Sequence, residues 1–484
     1  MASEMTPFIK TGGLADVVGV LPKMLKKQGH EVICVIPKYF DLKLGQRFVT
    51  KVFDYMGVWM GNKQEFCTVF SVEEEGIPVY LVEYHDYFSR PGLYHDGKNN
   101  DYLDNPYRFG FFNRAALEIA RNLKFKADIV HCHDWQTALA PAYLKTWHWD
   151  DPILGGAASV LTIHNASYQG IYPAGCYPYL GLRGEDFTSD RFECFNAVNF
   201  LKGGIYFADA VNTVSPTYAS EISRPHAASG LAPQLSNKGD AFCGILNGVE
   251  YEAWDPETDK LIPAKYSAKD LSGKAACKRE LQRSMGLRED PKVLLIGIVG
   301  RFAEQKGFHI LAQCVDSVLK NMLVQFVIIG TGEPWMQDFY RDLPSRYPGQ
   351  AGSFIGYDEK RAHLVEAGAD LFLMPSVFEP CGLNQMYSLK YGTLPLVRAT
   401  GGLDDTVEQY DESTGIGTGF KFFDASPSAL YYTIGWAVST WYDRPEHWKR
   451  IQQNAMKKNF SWDISVRKYE ELYAFAIKKK SALK

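Results

Sequence analysis

Five short motifs hold the residues best suited to chemistry in this sequence. Gly300-Arg301-Phe302-Ala303-Glu304-Gln305-Lys306-Gly307 follows directly on the apolar run VLLIGIV. Ligands of parallel α/β sheets bind at the carboxyl ends of strands. An Arg and a Lys held there between glycines can grip a diphosphate, each cation contributing on the order of 4 kcal/mol at about 4 Å and an effective dielectric of about 20. A solvated surface pair is the bland alternative; the flanking strand and glycines favour function. Glu379-Pro380-Cys381-Gly382-Leu383 follows LFLMP and puts a carboxylate at a strand end with a helix start behind it. Thr400-Gly401-Gly402-Leu403 follows LPLV and again presents backbone N–H groups, which suit an anion. Tyr357, in the turn after Phe354-Ile355-Gly356, reads equally as a ring that stacks on a base or as a packed loop tyrosine. Together these motifs describe a nucleotide-diphosphate site.

Two more motifs lie in the first half. Lys10-Thr11-Gly12-Gly13-Leu14 opens a helical pattern whose N-terminus suits phosphate. It is neither a Walker loop, since the Lys precedes the glycines, nor GxGxxG. Alone it reads as well as a plain helix-entry turn. His131-Cys132-His133-Asp134-Trp135 and His164-Asn165 both follow strand-like runs. Metal is rejected for this cluster, because alternating residues on a strand face opposite sides and no second cluster has metal-ligand spacing. An acid/base or pH-switch role for His164 stays open.

The composition narrows the class of protein that must position these residues. Of 484 residues, 46% are hydrophobic and 22% charged, which excludes a disordered or collagen-like chain. No uncharged apolar run approaches the roughly 18 residues of a membrane span. Fifty-two Lys and Arg against 56 Asp and Glu give a net charge of -4, so no global basic field recruits nucleic acid or an anionic membrane. Nine cysteines, an odd count, argue for a reducing compartment. The opening MASEMTPFIK carries no signal-peptide or transit pattern, although a trimmed chain would have lost either. The aromatic fraction of 14% implies large cores, with some rings free to line a site for a base or a sugar face.

Short apolar runs alternate with helical patterns, which predicts parallel α/β sheets. Candidate strands are Val32–Ile36, Val79–Glu83, Ile129–Cys132, Ser159–Ile163 and Ala210–Thr213, then Val293–Val299, Gln325–Ile329, Gly352–Ile355, Leu371–Met374 and Leu394–Val397. The pattern breaks at Asn247-Gly248-Val249 and Trp254-Asp255-Pro256, a turn-and-linker signal. Two Rossmann-like halves facing across a cleft are expected, residues 1–246 and 247–461, with 462–484 crossing back onto the first. The Lys-rich end, Lys478-Lys479-Lys480, reads as a frayed, solvated terminus. The stretches 84–106 and 165–184, rich in Tyr, Asp and Asn, read as long functional loops for a hydroxyl-rich ligand.

The ordered set KTGGL, HDW, IHN with SYQG, GRxxxQKG, EPCGL and ATGGL resembles the starch synthase and bacterial glycogen synthase family, retaining glucosyltransferases of the GT-B fold. The resemblance covers nearly the whole chain. It implies transfer of glucose from ADP-glucose to the nonreducing 4-OH of an α-1,4-glucan or maltooligosaccharide, with retention and without cofactor or metal. It implies that Arg301 and Lys306 hold the diphosphate, aided by the loops at Lys10, Gly12 and Gly13 and at Thr400, Gly401, Gly402 and Leu403. Glu379 would orient the donor glucose, with Cys381, Gly382 and Leu383 behind it. His164 would stabilise the oxocarbenium-like transition state through its backbone carbonyl. Asp134, Asn165 and Tyr168 would serve the acceptor side, Tyr357 would stack on adenine, and Asn247 would lie near the donor.

Two departures qualify the resemblance. Related sucrose-type enzymes often carry a second Glu eight positions after the first; here that position is Tyr387. The family also opens with a full apolar strand before SEMTPF, whereas here only Met1-Ala2-Ser3 precede Glu4, so the chain is expected to start inside that strand. A catalytically inactive glucan-binding or granule-organising protein is the competing reading. A glucan phosphorylase is disfavoured, since its cofactor-lysine site is not recognised here. The implied location is the cytoplasm of a bacterium, or the plastid and starch granule of an alga or plant.

Overall fold

The computed structural model describes residues 1–97, 100–225, 227 and 229–482. Positions 98 and 99 of the 84–106 stretch, and the last two residues of the crossing-back segment, lie outside the described residues. The chain divides into two compact units. One comprises Met1–Val214, Ala219–Ile245 and the stretch from Trp462 onward; the other comprises Ser215–Tyr218 and Leu246–Ser461.

The C-terminal unit is built on six parallel strands. Their spatial order is Ala351–Ile355, Val324–Gly332, Leu294–Phe302, Leu371–Met374, Leu394–Arg398 and Phe420–Phe422. In chain order this is 3-2-1-4-5-6, the order of a doubly wound dinucleotide-binding sheet. Strands buried on both faces read as continuous apolar runs, and LLIGIV, VQFVIIG and LFLM do so. The order reverses between Leu294–Phe302 and Leu371–Met374, which pair at Ile296–Leu371 and Gly297–Phe372. Loops after these two strands therefore flank the switch point, where such sheets bind ligands.

The N-terminal unit holds a parallel sheet ordered Phe242–Gly244, Ala210–Thr213, Ala158–Ile163 and Ile129–His133. A second sheet pairs Cys34–Pro37 in parallel with Ile77–Glu83, then continues antiparallel through Lys63–Glu74 to Thr50–Met60 at the edge. That hairpin was not among the expected strands. Its signal is period-two alternation, with Met56, Val58 and Met60 buried between exposed Tyr55 and Trp59. The C-terminal helix Trp462–Ala482 packs Trp462, Val466, Tyr469, Leu472 and Ala476 against Val17, Leu21, Val160 and Ala210. The lysines expected to fray therefore belong to a helix that continues to Ala482. Cations in the last turn suit the negative end of its dipole.

The described parts of the 84–106 stretch are more ordered than a free loop. The stretch opens with the helical turn His85–Phe88, and Tyr84 and Tyr87 pack on Phe111. Arg108, fully buried, donates to the carbonyls of Tyr87 at 2.7 Å and Leu93 at 2.9 Å and to Asn105 Oδ1 at 2.6 Å. Arg108→Ala would strand these acceptors and is expected to destabilise the fold by about 3 kcal/mol. Thermal unfolding followed by circular dichroism checks this; an unchanged midpoint would contradict the anchoring role.

Candidate functional site

The C-terminal unit assembles its candidate residues from three loops at the carboxyl edge of the sheet. The strand Leu294–Phe302 carries exposed Arg301 just before its end, and one helical turn later Lys306 precedes the helix Phe308–Asn321. Gly307 makes this turn at φ 73°, where a Cβ would collide with the Pro375 carbonyl. The chain therefore needs glycine here to bring the Lys306 loop against the loop that follows Leu371–Met374.

Lys306 Nζ bonds Glu379 Oε2 at 2.6 Å, and Ser376 Oγ donates to the same oxygen at 3.2 Å. Glu379 is 5% exposed, so this ion pair is what permits a carboxylate to sit so deep. The backbone of its loop is held from two sides. Arg398 donates to the Ser376 carbonyl at 2.7 Å and to the Val377 carbonyl, and Val377 N–H donates to the Gln305 carbonyl at 2.8 Å. Gly401, at φ 45°, lets the third loop close on the Glu379 carbonyl, which accepts Gly402 N–H at 3.1 Å. Leu403 N–H is engaged with Thr400 O, and the Leu403 side chain is core with Val397 and Val407.

Cys381 is buried, its thiol pushed up to about 12 by burial, and it accepts the Asn247 N–H. It is a packing residue, inert as a nucleophile. Asn247 is buried and its Oδ1 lacks a partner among the described residues. Tyr357 is 80% exposed in the turn after Ala351–Ile355, which favours a ring available to a ligand over a packed one. Tyr387 lies flat on Trp254 with ring centres 4.0 Å apart. Trp254 in turn stacks on His363 at 3.7 Å, so this position serves the packing of the linker.

In the N-terminal unit the glycine turn is organised by Glu4. Its buried carboxylate accepts the Thr11 N–H, the Thr11 hydroxyl at 2.8 Å, Gly12 N–H at 3.3 Å and the Tyr94 hydroxyl at 2.9 Å. The helix Gly13–Lys27 starts immediately afterwards, and Lys10 pairs with Asp16 at 2.7 Å on the exposed side.

The histidines form a stack. Ring centres of His131 and His133 are 4.2 Å apart, and those of His133 and His164 are 5.3 Å apart, with His133 Nδ1 and His164 Nε2 in hydrogen-bond contact at 3.0 Å. Burial lowers all three, His164 to about 3. At neutral pH His164 is uncharged and has no proton to give as an imidazolium, which closes the pH-switch reading. His131 is tied to Tyr473 at 2.8 Å and Thr162 at 2.7 Å, a structural anchorage. Asp134 sits beside this neutral cluster at φ 56° and ψ -174°, a backbone region that costs side chains about 1–3 kcal/mol and recurs at functional sites. Its carboxylate accepts the backbone N–H of His164 at 2.6 Å and that of Asn165. It thereby fixes the backbone that carries His164 and Asn165. Tyr168 is exposed three residues on.

Sequence reasoning missed Glu4, Tyr94, Ser376 and Arg398. Glu4 carried a usable signal, an acidic residue inside the apolar stretch just before the glycine turn. Arg398 acts through backbone carbonyls, and Ser376 through one hydroxyl on Glu379, contacts that no residue type announces.

Comparison with known proteins is consistent along the chain. Residues 1–237 match the family described as starch synthase catalytic domain, and residues 278–458 match glycosyl transferases group 1. Glycogen synthase 1 of Geobacter metallireducens is 47% identical over 482 residues, covering 99% of this chain and 96% of the relative. Glycogen synthase 1 of Geobacter sulfurreducens is 48% identical over 485 residues with the same coverage. The catalytic domain of starch synthase IV from Arabidopsis thaliana, solved bound to ADP and acarbose, superposes with a TM-score of 0.89 at 33% identity, covering 99% of this chain and 98% of that one. Sucrose-phosphate synthase from Thermosynechococcus elongatus shares the fold, with a TM-score of 0.58 at 15% identity over 98% of both chains.

Burial raises Asp134 from 3.8 to about 7. Between those values the folded chain binds a proton that the unfolded chain has released, so this group's contribution to stability falls as pH rises from about 4 to about 7 and stays low above that. Asp134→Asn is expected to raise the thermal midpoint at pH 8, with the gain fading toward pH 4 and a ceiling of about 4 kcal/mol. A variant less stable than the native chain at pH 8 would contradict this.

Proposed function

We infer that this chain, which belongs to the starch and bacterial glycogen synthase family, transfers glucose from ADP-glucose to an α-1,4-glucan. The observation that carries the reading is the Lys306–Glu379 pair beside the switch point of a nucleotide-type sheet, within a chain 47% identical to a glycogen synthase over nearly its whole length. The donor contacts are proposed as follows. Arg301 and Lys306 take the diphosphate and stabilise it as it gains charge on leaving. Glu379, paired with Lys306 in a buried place, accepts hydroxyl hydrogens of the donor glucose. Tyr357 covers the adenine, with Asn247 and the loops 381–383 and 400–403 shaping the floor. In the N-terminal unit Glu4 engages Thr11 and Gly12, which leaves the amides of Gly13 and Leu14, at the head of a helix, to face an anion.

Retention needs either a carboxylate nucleophile about 5 Å from an acid or a same-face attack. Glu379 is bound to Lys306 and Ser376, a poor state for a nucleophile. The same-face route is therefore favoured: the leaving diphosphate oxygen takes the proton of the acceptor 4-OH while the new bond forms at the same face of C1. His164 is assigned, by the family resemblance, to stabilising positive charge at C1; its ring, lowered to about 3 by burial, adds no repelling charge. Asp134, Asn165 and Tyr168 are assigned to the acceptor side. The competing reading, glucan binding without turnover, draws no support from the intact donor residues.

Incubation with labelled ADP-glucose and maltotriose is expected to give stepwise chain extension, and no extension would overturn the activity. Lys306→Ala is expected to lower kcat by about a hundredfold or more, corresponding to about 3 kcal/mol. Full turnover in that variant would remove Lys306 from the diphosphate role.

A further inference from the structure

The amino edge of the C-terminal unit's sheet holds a cavity of about 520 Å³. Two helices contribute to its lining. Ser272–Ser284 supplies a stripe that includes Lys274, Ala275, Lys278 and Arg279, and Pro445–Met456 supplies Pro445 and Trp448. Asp370, just before the strand Leu371–Met374, also lines it and accepts the Leu295 N–H at 2.9 Å. Arg301 stands six residues beyond Leu295 on the same strand, hence about 20 Å away. The volume is that of a small-molecule site, and its lining shares no residue with the candidate donor loops at the opposite edge.

The buried polar groups of the lining decide what it suits. Lys278 uses all three ammonium protons, on Asp370 at 2.6 Å and on the carbonyls of Val293 at 2.7 Å and Pro291 at 3.0 Å. Lys274, 6% exposed, gives two of its three to Thr393 Oγ1 at 2.6 Å and the Ala367 carbonyl at 3.0 Å, and forms no ion pair among the described residues. Burial lowers it to about 8, so it is charged at neutral pH. Glu366, pushed up by burial, bonds Ser388 instead. Trp448 is 4% exposed, and its indole N–H has no acceptor among the described residues. Two buried donors in one lining are therefore unmatched, and each weakens the fold until an acceptor reaches it. The acids of the lining are committed or screened. Asp370 is paired, Asp290 holds the Lys292 amide at 2.9 Å, and exposed Glu289 is offset by exposed Arg279. The other surfaces are apolar: Leu271, Pro445 and the Trp441 ring, which meets Trp448 edge-on with ring centres 5.0 Å apart.

We propose that this cavity binds a small aromatic carboxylate, with its acid group at Lys274 and Trp448 and its flat body against Trp441. A carboxylate brings two acceptor oxygens for the two unmatched donors, and one charge for the one ammonium that lacks a counter-ion. A phosphate dianion brings a second charge that no other buried group of the lining balances. A flat ring suits the apolar walls and the edge-on pair of indoles. Such a ligand binds independently of the activity proposed above.

The test is isothermal titration of 2-naphthoate into the full chain, with 2-naphthamide and acetate as partial probes. 2-Naphthoate is expected to bind saturably at one site per chain, and the amide and acetate at least about tenfold more weakly, for want of the charge and of the ring. Trp448→Phe keeps the ring and loses the N–H, and is expected to bind about tenfold more weakly. Ala275 is exposed, so Ala275→Trp fills the cavity from its open side and is expected to abolish binding. Absence of saturable binding by the native chain, or full binding by Ala275→Trp, would overturn the proposal. So would displacement of the probe by excess ADP, which would put it in the nucleotide site. The titration uses neither ADP-glucose nor acceptor, so its outcome is separate from that of the chain-extension assay.

Discussion

A carboxylate buried to 5% exposure at the end of a strand is stable only if something cancels its charge, and Lys306 does so for Glu379 at 2.6 Å. Much of the C-terminal unit's edge is arranged to keep that pair in register. Gly307 allows the Lys306 loop to touch Pro375, Arg398 grips the backbone before Glu379, and Gly401 allows the third loop to bond the Glu379 carbonyl. The three loops come from three strands, two of which flank the point where the sheet reverses its order. The fold thus brings together a cation suited to phosphate and a carboxylate suited to hydroxyls, each making the other tolerable in a place of low dielectric.

The N-terminal unit solves a different electrostatic problem. Burial works against charge around its histidines: His131, His133 and His164 are all lowered, and Asp134 is raised to about 7. A neutral, pre-bonded backbone is suited to meeting transient positive charge, because it neither repels that charge nor needs to reorganise. The strained Asp134 backbone is the cost of aiming one carboxylate at two consecutive amides.

Much of this was legible from residues alone. The apolar runs VLLIGIV, LFLMP and LPLV announce buried parallel strands, and the motifs after them fall at strand ends because chemistry and topology share that edge. The hairpin Thr50–Met60 and Lys63–Glu74 was less legible, because its only signal is plain alternation around Gly61-Asn62, with polar residues on the exposed face. The state of the histidines was not legible. It depends on burial by distant chain, such as Tyr473 against His131, 342 residues away. Nor was the role of Arg398, whose partners are carbonyls. The tyrosines at 84 and 87 looked ligand-facing by composition, yet they pack on Phe111.

The central claim is that Lys306 and Glu379 act as one unit in donor recognition. A double-mutant cycle with Lys306→Ala, Glu379→Gln and the combination, read as kcat/KM for ADP-glucose, tests it most directly. The account predicts strong non-additivity, the double variant being no worse than the poorer single one, with a coupling of about 1 kcal/mol or more. Losses that add to within about 0.5 kcal/mol would show two independent residues and contradict it.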